Sequence, residues 1–154
     1  MVQGLPEGEA EALIAIDTNV LVYAFDARDV RHGDAKALVG RLAQGARPWG
    51  VPWPCITEFL TVVTHPLLEL PTAVVAAFRF LDLLLASPSL RRLLPTEDTS
   101  RVLREVLEES GVRGRRVHDA HIFALCLEHG VRELLTADKG FRRFRGIKVT
   151  NPFA

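Results

Sequence analysis

Short apolar runs alternating with longer amphipathic ones predict an α/β fold: a three-layer α/β/α sandwich around a central, mainly parallel, twisted sheet. Two observations carry this. Strand-like runs at 13–16, 90–94 and 133–136, with shorter extended pieces around Trp49 and Val51 and at 147–149, are separated by helix-length segments. In those segments apolar residues recur every three or four positions. The 154 residues, 48% apolar and 25% charged, suit one domain that buries about two thirds of its unfolded surface.

The elements follow in order. Residues 13–16, "LIAI", read as a short buried strand. Residues 19–24 then read as a helix, with Asp17 or Thr18 available as N-cap, since a side-chain oxygen there can accept an orphan backbone N–H. A second helix covers 34–44, with Ala35, Leu38, Val39 and Leu42 on one face. The extended piece around Trp49 and Val51 leads into a helix over 55–64. That helix ends before His65-Pro66, because proline steers the preceding residue out of the helical region. Thr72 is expected to cap the apolar helix 73–86, "AVVAAFRFLDLLLA", which ends near Ser87-Pro88.

Residues 90–94 form a further strand. The segment 99–110 is amphipathic, with Val102, Leu103, Val106 and Leu107 inward and Gly111 as its stop. A helix over 117–129 closes at Gly130, and strands at 133–136 and 147–149 complete the set. No repeat, low-complexity segment or linker divides the chain. Residues 1–12 are expected to be a flexible N-terminal extension and 13–154 a single domain.

Net charge is zero, from 19 basic and 19 acidic residues, but the charges are unevenly placed. Residues 1–27 carry Glu7, Glu9, Glu11, Asp17 and Asp26 and no Lys or Arg. Residues 139–154 carry Lys139, Arg142, Arg143, Arg145 and Lys148 and no acid, and Arg113, Arg115 and Arg116 form a second basic cluster. This leaves room for a basic binding face on a neutral protein. The acidic opening is unlike a secretory signal, and no apolar run approaches the roughly 20 residues of a membrane span. A cytoplasmic protein without a membrane partner is expected. Cys55 and Cys126 match no metal or redox spacing and read as buried hydrophobes in a reducing compartment.

Four acids stand out against this framework. In a parallel sheet the carboxyl ends of strands and the amino ends of helices share one edge, where ligands bind. Asp17 follows the first strand directly, and Asp138 follows the strand ending at Thr136. Glu58 lies in the first turn or so of its helix, and Asp119 at the start of another. Singly, each could cap a helix, offset its dipole or make a turn. Together they would contain several like-charge pairs, each repelling by about 4 kcal/mol at 4 Å and an effective dielectric near 20. Such a cluster protonates, splays apart or holds cations. An all-oxygen donor set favours Mg²⁺ or Mn²⁺, either of which can activate a water. With these four acids neutralised by metal, bases outnumber the remaining acids, and the surroundings suit a polyanion.

The stretches "IDTNVLVYA", "CITEFLTVVTHP", "VHDAHIFALCLEHG" and "LLTADKGF" resemble, in order and spacing, the motifs of PIN-domain proteins, and among these the VapC-type toxins of bacterial toxin–antitoxin pairs. The resemblance covers residues 13–152. It implies a PIN-like sandwich and a metal-dependent endoribonuclease in which Asp17, Glu58, Asp119 and Asp138 bind one or two Mg²⁺ or Mn²⁺ ions. Thr136 matches the hydroxyl position that orients an acid or a water, and Asn19 matches a supporting polar position. RNA as substrate, a cognate VapB-like antitoxin and a homodimer are implied as partners. Arg113, Arg115, Arg116, Lys139, Arg142 and Arg143 are the residues available for RNA-backbone contacts.

Other chemistries fit less well. His118 and His121 in "HDAH" could ligate metal as in HD-type phosphohydrolases, but those resemble all-helical bundles, and this chain has clear strands. The first acid lacks the Asp-x-Asp partner of a dehalogenase-like phosphatase, and no glycine-rich nucleotide loop is present. A PIN-fold RNA-processing nuclease, or a catalytically silent module that binds RNA or protein, remains as an alternative. The helix 73–86 is apolar nearly all round, which suits either a partner-facing surface or a wholly buried helix.

Overall fold

In the computed structural model, which describes residues 12–154, five strands pair in parallel. They are β1 (Leu13–Ile16), β2 (Trp49–Pro52), β3 (Leu90–Leu93), β4 (Val131–Leu135) and β5 (Lys148–Thr150), side by side in the order β3-β2-β1-β4-β5. The expected N-terminal extension lies outside the described residues, apart from Ala12. Six helices connect the strands: α1 (Thr18–Phe25), α2 (His32–Gln44), α3 (Trp53–Val63), α4 (Val74–Leu85), α5 (Thr99–Ser110) and α6 (Val117–Glu128). Two 3₁₀ turns, Gly114–Arg116 and Lys139–Arg143, precede α6 and follow β4.

Both faces of the sheet are covered. Successive residues of a strand point to opposite faces, yet Ala15 and Ile16 are each fully buried, and all of β2 is buried. This is the three-layer α/β/α sandwich the sequence predicts. On one flank Phe25 of α1 meets Phe59 of α3 at 5.5 Å and Phe80 of α4 at 5.3 Å. Phe59 also stacks on Phe80 at 5.4 Å. These contacts fix α3, the helix that carries Glu58, against α1.

The strand order creates the site. The chain steps from β1 to β2 to β3 in one direction, then returns to lay β4 on the other side of β1. The carboxyl ends of β1 and β4 therefore flank a topological switch point, the crevice where open α/β sheets bind ligands.

Several element ends differ from the sequence reading. The helix α3 starts at Trp53 rather than at 55, with Pro54 in its first turn, where a missing N–H costs nothing. Glu58 consequently sits in the second turn. Thr72 does not cap α4; the first helical bond runs from the Ala77 N–H to the Ala73 carbonyl, so the cap position falls on Ala73, one residue later. Thr136 falls just beyond β4, although its N–H still donates to Thr150 O at 2.9 Å. Gly111 (φ 70°) and Gly130 (φ 72°) end α5 and α6 in the left-handed region, as their positions in the sequence predict.

Cys55 and Cys126 are free and buried, and burial pushes both thiols up, so neither offers a thiolate. Helix α4 is not wholly buried: Ala77, Leu81 and Leu84 face inward, while Val74, Val75, Phe78 and Leu83 are exposed. Among the described residues no helix is long and apolar enough to cross a membrane.

Candidate active site

Asp17 is held in place by the sheet itself. Its backbone N–H donates to Leu135 O at 3.0 Å, extending the pairing of β1 with β4 by one residue. Its carboxylate turns into the crevice as the N-cap of α1, with Oδ1 accepting the Thr18 N–H at 2.7 Å. Oδ2 accepts the Thr136 hydroxyl at 2.7 Å and Asn19 Nδ2 at 3.2 Å. Burial pushes the Asp17 carboxyl up to about 6. The hydrogen bonds from Thr136 and Thr18 oppose that shift, and the Glu58 and Asp119 charges add to it. A deeply buried acid among other acids is strained when ionised, and a cation in the crevice would relieve it.

Thr136 joins the two strand ends. Its hydroxyl gives its one proton to Asp17 and accepts from Asn19 Nδ2 at 3.1 Å and from the Asp138 N–H at 3.0 Å. Asn19 Oδ1 in turn accepts the Ala137 N–H at 3.1 Å. The "DTN" after β1 and the "TAD" after β4 are thus tied into one network.

The other acids arrive from elsewhere. Glu58, exposed on α3, accepts the Thr18 hydroxyl at 2.8 Å. Asp119 is the third residue of α6. Asp138 caps the second 3₁₀ turn, its Oδ1 accepting the Gly140 N–H at 2.7 Å. All four acids line one open cleft of about 270 Å³ together with Thr18, Asn19, Val22, Tyr23 and Val62. Carboxylates with an amide and hydroxyls form a hard-oxygen donor set, which fits Mg²⁺ or Mn²⁺. As the side chains stand, no three acid, His or Cys groups among the described residues converge tightly enough to hold an ion. Arg116 Nη1 donates to Asp119 Oδ2 at 2.9 Å and reaches Asp138 Oδ2 at 3.5 Å, while Thr18 holds Glu58.

The basic residues expected near the site are dispersed. Arg115 lines a wider neighbouring cleft of about 590 Å³ with Trp53, Thr57, His118 and His121; this cleft shares Glu58 and Asp119 with the acidic one. Arg143 lies away from both, in a depression beside Glu105 and Glu109 of α5. Arg113, Lys139 and Arg142 are exposed and form no ion pair with the four acids among the described residues. His118 is exposed and His121 half-buried, held below its usual range by burial and by His118, and both line the wider cleft rather than the acidic one.

Two features escaped the sequence reading. The Thr18 hydroxyl orients Glu58, whereas the sequence marks Thr18 only as a possible cap. Arg116 faces the acids themselves, a direction set by the 3₁₀ turn before α6 and by a loop 22 residues further on, which no local pattern encodes.

Comparison with known proteins agrees with this geometry. The PIN domain pattern matches residues 14–147. The VapC ribonuclease Mb2897 of Mycobacterium bovis is 36% identical over 141 residues, spanning 91% of this chain and 95% of its own. Ribonuclease VapC48 of Mycobacterium tuberculosis is 34% identical over 139 residues, 90% of this chain and 96% of its own. In fold, VapBC2 from Rickettsia felis, crystallised on a fragment of promoter DNA, matches with a TM-score of 0.65 at 17% identity, covering 90% of this chain and 98% of that one. With the pattern spanning most of the sheet and its helices, and identity above a third across nine-tenths of the sequence, the chain belongs to the PIN-domain family, in the group of the VapC ribonucleases.

Proposed function

We propose that this chain is a VapC-type endoribonuclease that hydrolyses RNA phosphodiesters with Mg²⁺ or Mn²⁺ and serves as the toxin of a toxin–antitoxin pair in the cytoplasm. The observation that most supports this reading is that Asp17, Glu58, Asp119 and Asp138, from four separate segments, line one cleft at the switch point of a VapC-like chain. One or two ions held by these acids would supply Lewis-acid stabilisation of the charge on a scissile phosphate.

The chain's own groups prepare that chemistry. Thr136 and Asn19 fix the direction of Asp17 Oδ2, and Thr18 fixes Glu58. The amino end of α6 adds positive potential for a phosphate bound beside Asp119. Arg115 is the base best set to hold the RNA backbone, in the cleft that continues from the acids; Arg113, Lys139 and Arg142 border the site in sequence, and Arg143 lines a separate depression. For protein partners, a VapB-like antitoxin and a second copy of the chain, the exposed Val74, Val75 and Phe78 of α4 offer an apolar face. The VapBC2 complex of Rickettsia felis supports the pairing with an antitoxin.

The test is cleavage of total RNA by the purified chain with Mg²⁺, Mn²⁺ or chelator, beside folded Asp17→Asn and Asp119→Asn. Discrete cuts that require metal and vanish in both variants are expected. RNA binding without turnover in any form would make the chain a silent binding module. Cutting that survives both substitutions would refute the site.

A further inference from the structure

Among the basic side chains near the cleft, Arg116 is the one seated on its acids. It ends the 3₁₀ turn before α6, and its Nη1 bridges Asp119 Oδ2 and Asp138 Oδ2. Asp138 Oδ1 accepts the Gly140 N–H, and Arg116 lies on the other oxygen of that acid. The guanidinium lies directly across Gly140: a Cβ on that residue would come within 2.8 Å of Arg116 Cζ and closer still to Nη1. An alanine there would force the guanidinium to shift, and its Cβ would also stand 3.0 Å from Asp138 Oδ1. The Arg116 side chain is 44% exposed, so the pair is solvated and readily exchanged rather than locked.

We propose that Arg116 is a resident counter-cation of the acidic cleft, seated on Gly140, and that a divalent ion gains Asp119 and Asp138 only as the guanidinium leaves them. Arg116 is thereby a positioning residue that sets the metal concentration the protein requires. The inference rests on the metal-dependent reading above. Without the arginine, Asp119 and Asp138 would face each other and Asp17 uncompensated, a strong pull on any cation. With it, one positive charge stands where the ion's own charge must go, and the two repel.

The experiment is Mn²⁺ binding to metal-stripped protein, read by electron paramagnetic resonance and calorimetry, for wild type, Arg116→Gln, Arg115→Gln, Gly140→Ala and the Arg116→Gln/Gly140→Ala double variant. Relief of a contact repulsion predicts that Arg116→Gln binds Mn²⁺ roughly tenfold more tightly than wild type, and Arg115→Gln, the same charge change without the contact, less than about twofold. Gly140→Ala keeps the charge but forces the guanidinium to shift. It should tighten binding relative to its effect in the Arg116→Gln background, where only its approach to Asp138 Oδ1 remains. Equal affinities for Arg116→Gln and Arg115→Gln would overturn the proposal while leaving the metal reading intact. An equal effect of Gly140→Ala in both backgrounds would remove Gly140 as the seat. Absence of Mn²⁺ binding in every form, Arg116→Gln included, would overturn the metal reading and this inference together.

Discussion

Thr136 Oγ1 donates to Asp17 Oδ2 across 2.7 Å, although the two residues stand 119 positions apart. The contact exists because the chain returns from the β3 edge to lay β4 beside β1, which brings the ends of both strands to one point. A hydroxyl has a single proton, and here it goes to the buried carboxylate, leaving the oxygen to accept from Asn19 and from the Asp138 backbone. One side chain thus couples the orientation of two acids.

The first prediction concerns the charge on Asp17. Its pKa is raised by burial from 3.8 to about 6, so the folded metal-free protein binds the proton more tightly than the unfolded chain. The resulting stabilisation is fully present below the unfolded value of 3.8 and is lost as pH rises through about 6. In urea unfolding with chelator, wild type should gain about 2 kcal/mol relative to Asp17→Asn between neutral pH and about pH 4. A constant difference between the two proteins across that range would show that Asp17 does not titrate as its burial requires.

The second follows from the same proton acting on function. Protonating Asp17 removes a donor from the metal-binding set, so RNA cleavage should fall as pH drops. Bound metal favours the ionised carboxylate and pulls its pKa down, which places the midpoint at or below about 6. Raising the Mn²⁺ concentration should move that midpoint lower still. A midpoint that ignores metal concentration would assign the titration to another group.

The third isolates the hydroxyl of Thr136. Thr136→Val preserves shape but leaves the Asp138 N–H and one Asp17 oxygen short of partners in a residue only 2% exposed, a cost of about 2–3 kcal/mol. Thr136→Ser keeps the hydroxyl and should lose about 1 kcal/mol, for the methyl alone. Carboxyl ¹³C titration should also show the Asp17 pKa rising further in the valine variant, and not in the serine one. Equal behaviour of the two would reduce Thr136 to packing.

These relationships were unequally legible in the amino-acid order. Asp17 could be found because an acid interrupting an apolar run at the end of a strand is conspicuous, and the strand–helix alternation sends such ends to one edge. Asp138 could be found because it follows a strand, and Asp119 because helix amino ends share that edge. The strand order was not legible, since nothing local says on which side of β1 the fourth strand will lie. Thr72 misled because cap propensity is local, whereas the helix begins one residue later, with Ala73 accepting its first bond. Arg116 belongs to a run of arginines that looks alike from residue to residue, so its turn toward the acids was not legible. That turn depends on the 3₁₀ stretch before α6 and on the bare backbone of Gly140, which leaves room for the guanidinium.

The last prediction separates two ways of holding RNA in the wider cleft. Arg115 carries a full charge there, and Trp53, 39% exposed at the start of α3, offers an aromatic face beside it. A cation that pairs with a phosphate releases a counterion, so its contribution fades with salt, whereas stacking on an indole does not depend on counterions. Binding of a labelled single-stranded RNA to the Asp119→Asn protein, measured across a salt series, should therefore split the two. Adding Arg115→Gln should flatten the slope of log affinity against log salt by about 0.7 and matter little at high salt. Adding Trp53→Ala should weaken binding roughly tenfold at every salt concentration and leave the slope unchanged, as the loss of about 1–3 kcal/mol of stacking per base requires. If neither substitution changes affinity, the RNA does not pass through this cleft. If Trp53→Ala changes the slope instead, the indole acts by shaping the charged surface rather than by stacking.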